Sequence, residues 1–314
     1  MPKKRSKNVA LVLASGGAKG YAHIGAIETL ISRGYNIKSV TGCSMGSLVG
    51  GMYAAGKLKE TREIMLSVDF AKYFALLDFN ILNWDGLLKG DKVVEQLRAI
   101  APGSRIENLA IPFRAIATDI THDRETVFES GDLIDAIRAS ISMPGVFKPM
   151  RIGGTEYIDG GVMDPLPLSH AIRSEDDLLV AVDVNAHTAP QCARPASLTS
   201  KVEMLSGSVD SLRDSVPPLG RSILDAVMSK AKCIAEKADK NASHAKSTIT
   251  KILTEYTQLS IVSLTDMALR ITPPDIHVAI PHNQFSTFDF ANAANIIEEG
   301  SRRMEAALNT YERE

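Results

Sequence analysis

The most distinctive chemical feature of the sequence is Ser44, which stands between Gly42 and Gly46. A strand-like run, residues 37–41, precedes it, and a helix-like run, residues 45–55, follows it. Glycines at these two positions leave room for a sharp strand-to-helix turn from which the hydroxyl protrudes. The positive end of the helix dipole would favour a nucleophilic oxygen there. The pattern predicts a nucleophile, and a serine that only caps the helix is the alternative.

A glycine-rich loop at residues 15–20 follows the apolar run 9–14. Its glycines allow backbone N–H groups to approach a substrate oxygen closely, and Lys19 would add a cation near that oxygen or a phosphate. A nucleotide-binding P-loop is excluded because Lys19 is followed by Gly20 rather than by serine or threonine. An ordinary tight turn remains the alternative.

A serine nucleophile needs a base, and the histidines offer only weak candidates. His282 follows the strand-like run 276–280, where a Ser-His-Asp enzyme could carry its histidine, but its polar neighbours favour a solvated turn. His23 lies in the first turn of the helix after the glycine loop, where packing or capping is equally compatible with the pattern.

Asp159 is the other candidate base. It follows the strand-like run 155–158 and precedes two glycines, so it occupies a turn. A free aspartate is a weak base, but burial raises its pKa and lets it accept a serine proton during attack. An Asp-Gly turn without a chemical role is the alternative.

Composition restricts the possible classes of protein. The chain has 314 residues, 45 % hydrophobic and 23 % charged, with a net charge of −2. These values are typical of globular proteins and give no strong field that would attract nucleic acid. Three cysteines form neither a disulfide framework nor a metal-binding pair, which is typical of a reducing compartment. The basic start, residues 1–7, is interpreted as a tail, because the apolar run that follows is too short for a signal peptide or a membrane span.

Strand-like and helix-like runs alternate through the first part of the chain, which predicts an α/β fold: a mainly parallel sheet covered by helices on both faces. Further buried strands are predicted at 113–117, 178–184 and 276–280, and helices at 21–33, 133–140 and 292–308. Residues 196–257 are rich in serine, lysine and alanine and are interpreted as an inserted helical segment.

Four motifs occur in one order: residues 15–20, 42–46, 139–147 and 159–161. Each is weak alone, but together they resemble the patatin-like phospholipases, specifically the compact bacterial members. The resemblance covers roughly residues 8–190. It implies a three-layer α/β/α sandwich over residues 8–314 with the insertion at about 196–257.

The resemblance also implies a chemistry. Ser44 would be the nucleophile and Asp159 the base of a dyad without histidine. Gly16, Gly17, Ala18 and Lys19 would form the oxyanion and substrate-binding loop. The implied reaction is hydrolysis of a lipid ester through an acyl-enzyme. The sequence shows no metal-binding cluster, and neither a cofactor nor a metal is expected. Lys19 stands where the family often has arginine, and the insertion at 196–257 is longer than expected of compact members.

Two segments of the sequence are candidates for contact with a lipid on its way to Ser44. Five aromatic residues fall between positions 70 and 84: Phe70, Tyr73, Phe74, Phe79 and Trp84. This segment is interpreted as part of an acyl trough or an interfacial lip, with a core helix as the alternative. The insertion is a second candidate for membrane contact, with an ordinary solvated helix as its alternative.

Two other functions stay open: an acyltransferase that uses the same acyl-enzyme, and a non-catalytic protein that binds a lipid or another partner. The expected partner is a lipid or ester substrate, with possible peripheral membrane contact and without nucleic acid. The expected location is the cytoplasm. The sequence does not indicate an oligomeric state.

Overall fold

The computed structural model describes residues 6–67, 91–144, 146–187 and 248–313. The chain forms two units, residues 1–191 with 260–314 and residues 192–259. The sheet and the candidate site belong to the first unit. The aromatic segment 70–84, most of the basic tail 1–7 and most of the insertion 196–257 lie outside the described residues, so the predictions about them remain predictions.

A sheet of eight strands organises the first unit. The strands are β1 Asn8–Leu13, β2 Asn36–Cys43, β3 Phe113–Asp119, β4 Arg124–Phe128, β5 Met150–Ile152, β6 Thr155–Asp159, β7 Leu178–Ala186 and β8 Ile276–Pro281. Their order is β5-β6-β3-β2-β1-β7-β8, with β4 paired to β3. Strands β3, β2, β1, β7 and β8 are parallel, whereas β4, β5 and β6 join by antiparallel pairing.

Helices flank the mixed, mainly parallel sheet, which confirms the predicted three-layer α/β/α sandwich. The helices of the described residues are α1 Ala22–Ser32, α2 Met45–Ala54, α3 Leu58–Ser67, α4 Asp91–Ile100, α5 Leu133–Ser140, α6 Thr248–Ile271 and α7 Ala293–Arg313. Helix α1 packs against α7, and α2 packs against β2, β3 and α5. None of the helices in the described part of the chain has the length and hydropathy of a membrane-spanning segment.

The central strands agree with the apolar runs in the sequence. Strands β1 and β7 are buried along almost their whole length, because helices cover both faces of a parallel sheet and leave no solvent side. Strands β4 and β5 were not predicted. They are short and only partly buried or exposed, so neither shows the continuous apolar run of a central strand.

One edge of β3 decides the geometry of the site. Strand β4 occupies one edge, and β2 and β6 share the other. Cys43, the last residue of β2, pairs with Ile116, and Asp159, the last residue of β6, pairs with the next residue, Ala117. The two strands run in opposite directions, so their carboxyl ends meet on this edge.

Candidate active site

Ser44 lies between β2 and α2, at the N-cap of the helix. Its backbone angles are φ 53° and ψ −122°, in a region that L residues rarely adopt. Such a conformation costs on the order of 1–3 kcal/mol and persists only where the surroundings hold it. The residue is 4 % exposed. The turn therefore presents the hydroxyl and not merely a helix cap, since no side-chain cap bond forms.

The glycines beside Ser44 are required by close backbone contacts. A Cβ at Gly42 would lie 2.4 Å from the carbonyl oxygen of Gly46. A Cβ at Gly46 would lie 2.3 Å from the carbonyl oxygen of Leu13. Neither backbone atom can move without disturbing the turn or β1. The sequence prediction that glycines here remove clashing Cβ atoms is confirmed.

Asp159 is the side-chain partner of Ser44. The Ser44 hydroxyl donates a hydrogen bond of 2.5 Å to Asp159 Oδ2. The other carboxylate oxygen, Oδ1, accepts the backbone N–H of Gly161 at 2.8 Å. Both residues are buried. The two residues that the resemblance selected, 115 positions apart in the sequence, are therefore in direct contact.

Burial raises the pKa of Asp159 to about 6, because a carboxylate is poorly solvated in this position. The hydrogen bonds from Ser44 and Gly161 favour the charged form and partly offset that rise. A base with a pKa close to neutrality accepts a proton more readily than an ordinary aspartate and is still ionised at pH 7.

The glycine loop lies beside Ser44, as the sequence predicted. It continues β1 and forms a short 3-10 turn, Gly17–Tyr21. Gly17 has a φ of +57° and lines the same cavity as Ser44. The backbone N–H of Ala18, in contrast, donates a hydrogen bond of 2.8 Å to the carbonyl of Thr287. The Ala18 amide is therefore occupied by the loop that follows β8.

Lys19 does not point into the cavity. Its side chain is 1 % exposed, and its ammonium group donates a hydrogen bond of 2.7 Å to Asn185 Oδ1. Asn185 in turn donates to the carbonyl of Ser15 at 2.6 Å. Burial lowers the pKa of Lys19 to about 8, although the charge of Asp183 opposes this change. The expected contact with a substrate phosphate does not agree with this position, and the lysine instead ties the glycine loop to β7.

The two histidines considered as bases have other partners. His23 is buried, and its Nε2 lies 2.9 Å from the carbonyl oxygen of Ala14. Burial lowers its pKa to about 4, so its ring is neutral at pH 7. His282 Nδ1 lies 3.2 Å from the carbonyl oxygen of Ala186. Neither ring bonds to the Ser44 hydroxyl, whose partner among the described residues is Asp159.

An apolar cavity of about 140 Å³ opens beside Ser44. Its lining comes from α2, α3, α4, the segment after α5 and the loop after β8, and includes Leu48, Met65, Leu97, Ile141, Val146 and Phe290. Apolar side chains cannot fix a polar group, but they can hold a hydrocarbon chain. The Ser44 hydroxyl therefore lies at the wall of a cavity whose lining suits a hydrocarbon chain.

A second polar cluster lies outside this cavity. Potential ligand atoms of Glu125, Asp164 and His170 lie within 4.8 Å of one another. His170 forms an ion pair with Glu125, and this pairing raises its pKa. Burial, together with the nearby charge of Glu125, raises the pKa of Asp164 to about 6. These ion pairs account for the arrangement, which the sequence did not indicate because its members come from three separate segments.

Two further parts of the site were missed by sequence reasoning. Ser140 Oγ accepts the backbone N–H of Ser44 at 2.8 Å. It belongs to the third motif, so a signal was present, but no role could be derived from it. The loop after β8 contributes Thr287, Phe288 and Phe290, and no sequence pattern connects it to residues almost 270 positions earlier.

The sequence is similar to those of known proteins. A family model described as patatin-like phospholipase matches residues 11–172. Uncharacterised NTE family proteins of Mycobacterium bovis and Mycobacterium tuberculosis are 42 % identical over 206 residues, which are 66 % of this chain and 57 % of each relative. A protein named lysophospholipase NTE1 from Cryptococcus neoformans is 32 % identical over 183 residues, 57 % of this chain and 11 % of that protein.

The chain thus matches little more than half the length of the mycobacterial relatives. A solved structure, the crystal structure of VipD from Legionella pneumophila, aligns with a TM-score of 0.44 at 15 % identity and covers 98 % of this chain and 67 % of that one.

Proposed function

The chain belongs to the patatin-like phospholipase family, and we propose that it is a lipid acyl hydrolase that cleaves carboxylic esters with a Ser-Asp dyad. One observation carries the proposal: the 2.5 Å hydrogen bond from the Ser44 hydroxyl to Asp159, at the wall of an apolar cavity. The bond supplies a base for the nucleophile, and the cavity supplies a place for the acyl chain.

In the first step, Ser44 Oγ attacks the carbonyl carbon of the ester while Asp159 Oδ2 accepts the serine proton. The carbonyl oxygen becomes an oxyanion. As the tetrahedral intermediate collapses, the bond to the alcohol oxygen breaks, and Asp159 returns the proton to that oxygen. The products of this step are a free alcohol and an acyl group bound to Ser44 Oγ.

In the second step, water replaces the alcohol. Asp159 accepts a proton from the water as its oxygen attacks the acyl carbon. Collapse of the second intermediate breaks the bond to Ser44 Oγ, which recovers its proton from Asp159. The carboxylic acid leaves, and the hydrogen-bonded dyad is restored.

Backbone amides of the glycine loop are proposed to hold the oxyanion. Gly16 and Gly17 are the proposed donors, and Gly17 lines the same cavity as Ser44. The Ala18 amide donates to Thr287 instead, so its participation requires the loop after β8 to move. Donors aligned before reaction are each worth about 3 kcal/mol of transition-state stabilisation in comparable sites.

The proposed substrate is a lipid that carries one acyl chain, such as a lysophospholipid, and whose ester bond lies close to the lipid surface. The name of the NTE1 relatives gives the same chemistry for those proteins. Peripheral contact with a lipid surface belongs to the same proposal. Phe288 lines the cavity and is 51 % exposed, so it can contact lipid at the entrance.

The test is a panel of chromogenic esters, phospholipids and lysophospholipids given to wild type, Ser44→Ala and Asp159→Asn. Wild type is expected to release fatty acid, and each variant is expected to lose at least about 1,000-fold in kcat, because the nucleophile and its base act as one unit. A fluorophosphonate probe should label wild type at Ser44.

Added alcohols and lysolipids distinguish hydrolysis from acyl transfer, since a transferase yields acylated acceptor instead of free fatty acid. Failure of the probe to label Ser44, together with binding of lipid without turnover, would support the non-catalytic alternative. His282→Ala should retain activity, and a large loss in that variant would point back to a Ser-His-Asp mechanism.

A further inference from the structure

Ser140 lies at the carboxyl end of α5, and its side chain is completely buried. Its hydroxyl donates a hydrogen bond of 2.5 Å to the carbonyl of Ile116 on β3. The same oxygen accepts the backbone N–H of Ser44 at 2.8 Å. Because the hydroxyl proton is committed to β3, the oxygen turns a lone pair towards Ser44. One buried side chain thus connects β3, α5 and the nucleophile turn.

The same segment also holds Asp159. The carbonyl of Ser142 accepts the backbone N–H of Asp159 at 3.0 Å. Ser142 is itself fixed by Arg138, whose guanidinium donates to the Ser142 hydroxyl at 2.5 Å and whose carbonyl accepts from that hydroxyl at 2.7 Å. The two members of the dyad are therefore held through their backbone amides by residues 140 and 142.

We propose that Ser140 is a positioning residue for the dyad: its hydroxyl holds the strained turn so that Ser44 Oγ stays directed at Asp159. The proposal rests on the proposed function, because it assumes that this pair reacts. Ser44 adopts its unusual φ and ψ only while its surroundings hold it. Without an acceptor, its buried amide would turn towards another partner and carry the side chain with it.

Kinetics of Ser140→Ala provide the first test. We expect kcat to fall by about 10- to 100-fold, as for a misplacement of roughly 1 Å, while KM changes by less than about threefold. The acidic limb of the pH profile should also move to higher pH, because the Ser44 hydrogen bond helps to keep the Asp159 carboxyl ionised. A change in stability alone would move neither the pH profile nor the kcat of the folded fraction.

Matched variants separate the hydroxyl from general packing. Ser140→Thr keeps the hydroxyl and should recover most of the lost kcat. Ser39→Ala removes another buried serine hydroxyl, which donates to the carbonyl of Ile172 and does not touch the dyad. That variant should keep wild-type kcat and pH profile. If Ser140→Ala does not fold, Ser140→Cys takes its place, since sulfur is a weak acceptor of similar size.

Hydrogen exchange of a peptide covering residues 42–48 tests the contact without any substrate. The Ser44 amide should exchange faster in Ser140→Ala than in wild type and in Ser39→Ala. Ser140→Ala could instead keep wild-type kcat and unchanged exchange while Ser44→Ala loses turnover. That result would overturn the role of Ser140 and leave the proposed function standing. An inactive wild type with faster exchange in Ser140→Ala would overturn the proposed function while supporting the hold on the turn.

Discussion

The proposed chemistry needs a backbone conformation at Ser44 and a buried carboxyl at Asp159 that both lower the stability of the fold. The backbone of Ser44 is in a rare conformation, and the Asp159 carboxyl is buried where its charge is poorly solvated. The first feature presents the hydroxyl, and the second raises the pKa of the base towards neutrality. Reactivity at such sites is commonly obtained at the expense of stability.

Under the proposed mechanism, the pH dependence of activity follows from Asp159. The base must be ionised, so kcat/KM should rise with pH through an apparent pKa near 6 and then level off. An ordinary aspartate would place this limb near 4. Hydrolysis of a soluble chromogenic ester between pH 4 and 9 measures it. Asp164 also has a pKa of about 6 and would produce a limb at the same pH if it were the base. Asp164→Asn is therefore the control, and the limb should persist in this variant. Its disappearance in that control would contradict the assignment to Asp159.

As pH rises and Asp159 ionises, stability should fall, whereas activity should rise. The folded pKa, about 6, lies above the usual value of 3.8, so the native state favours the protonated carboxyl. This contribution to stability is lost as pH rises through about 6. Asp159→Asn removes the buried charge and retains an acceptor for Gly161.

The free energy of unfolding of Asp159→Asn at pH 8 should therefore exceed that of wild type, by at most about 3 kcal/mol, since one pKa unit corresponds to about 1.4 kcal/mol. The difference should shrink towards pH 4. Thermal melting of both proteins at the two pH values measures it. A variant that melts well below wild type at pH 8 would refute the expectation.

At the scale of elements, three loops meet at the site: the glycine loop after β1, the turn after β2 and the loop after β8. The last of these reaches the glycine loop through Thr287, whose carbonyl accepts the Ala18 N–H. A Cβ on Gly17 would lie 2.5 Å from this oxygen and 2.7 Å from Thr287 Cγ2. The contact leaves no room for a side chain at position 17.

Gly17→Ala should therefore displace either the glycine loop or Thr287 and lower kcat by about 10- to 100-fold. Gly153→Ala is a matched control, because Gly153 has the same φ, +57°, and no atom within 4 Å of the added Cβ. The control should lose about 1 kcal/mol of stability through its backbone conformation and keep its activity. Esterase kinetics and melting curves test both, and equal effects of the two substitutions would rule out the loop contact as the cause.

At the scale of the first unit, the residues that match the family model do not complete the fold. They end at position 172, before β7, β8 and α7. Strand β7 pairs with β1 along the buried centre of the sheet. Helix α7 packs on α1 with Ile296, Met304 and Leu308 buried. Arg33 at the end of α1 forms ion pairs with Glu305 and Glu312 of α7.

A fragment that stops at residue 172 should therefore fail to fold, although it contains both Ser44 and Asp159. The unpaired edge of β1 and the uncovered face of α1 would expose apolar surface and promote aggregation. Circular dichroism, melting curves and fluorophosphonate labelling of the fragment and of the full chain compare the two. Cooperative melting with labelling of the fragment would show that β7, β8 and α7 are dispensable.

Local patterns in the sequence were sufficient for several features. The apolar runs at residues 9–14 and 178–184 predicted two of the central parallel strands, because strands buried on both faces are continuously apolar. Glycines around position 44 predicted the crowded turn, because the absence of a Cβ is itself the structural requirement. The four motifs in order indicated the family and selected Ser44 and Asp159.

Tertiary structure alone decided the features that depend on distant segments. The shared edge of β3 brings the ends of β2 and β6 together, and pairing between strands so far apart in the chain leaves no local pattern. The direction of the Lys19 side chain depends on Asn185, and the pKa of Asp159 depends on the burial that the whole fold creates. Residue types and their spacing therefore predicted which groups could react, while long-range packing set their distances, their burial and their proton affinities.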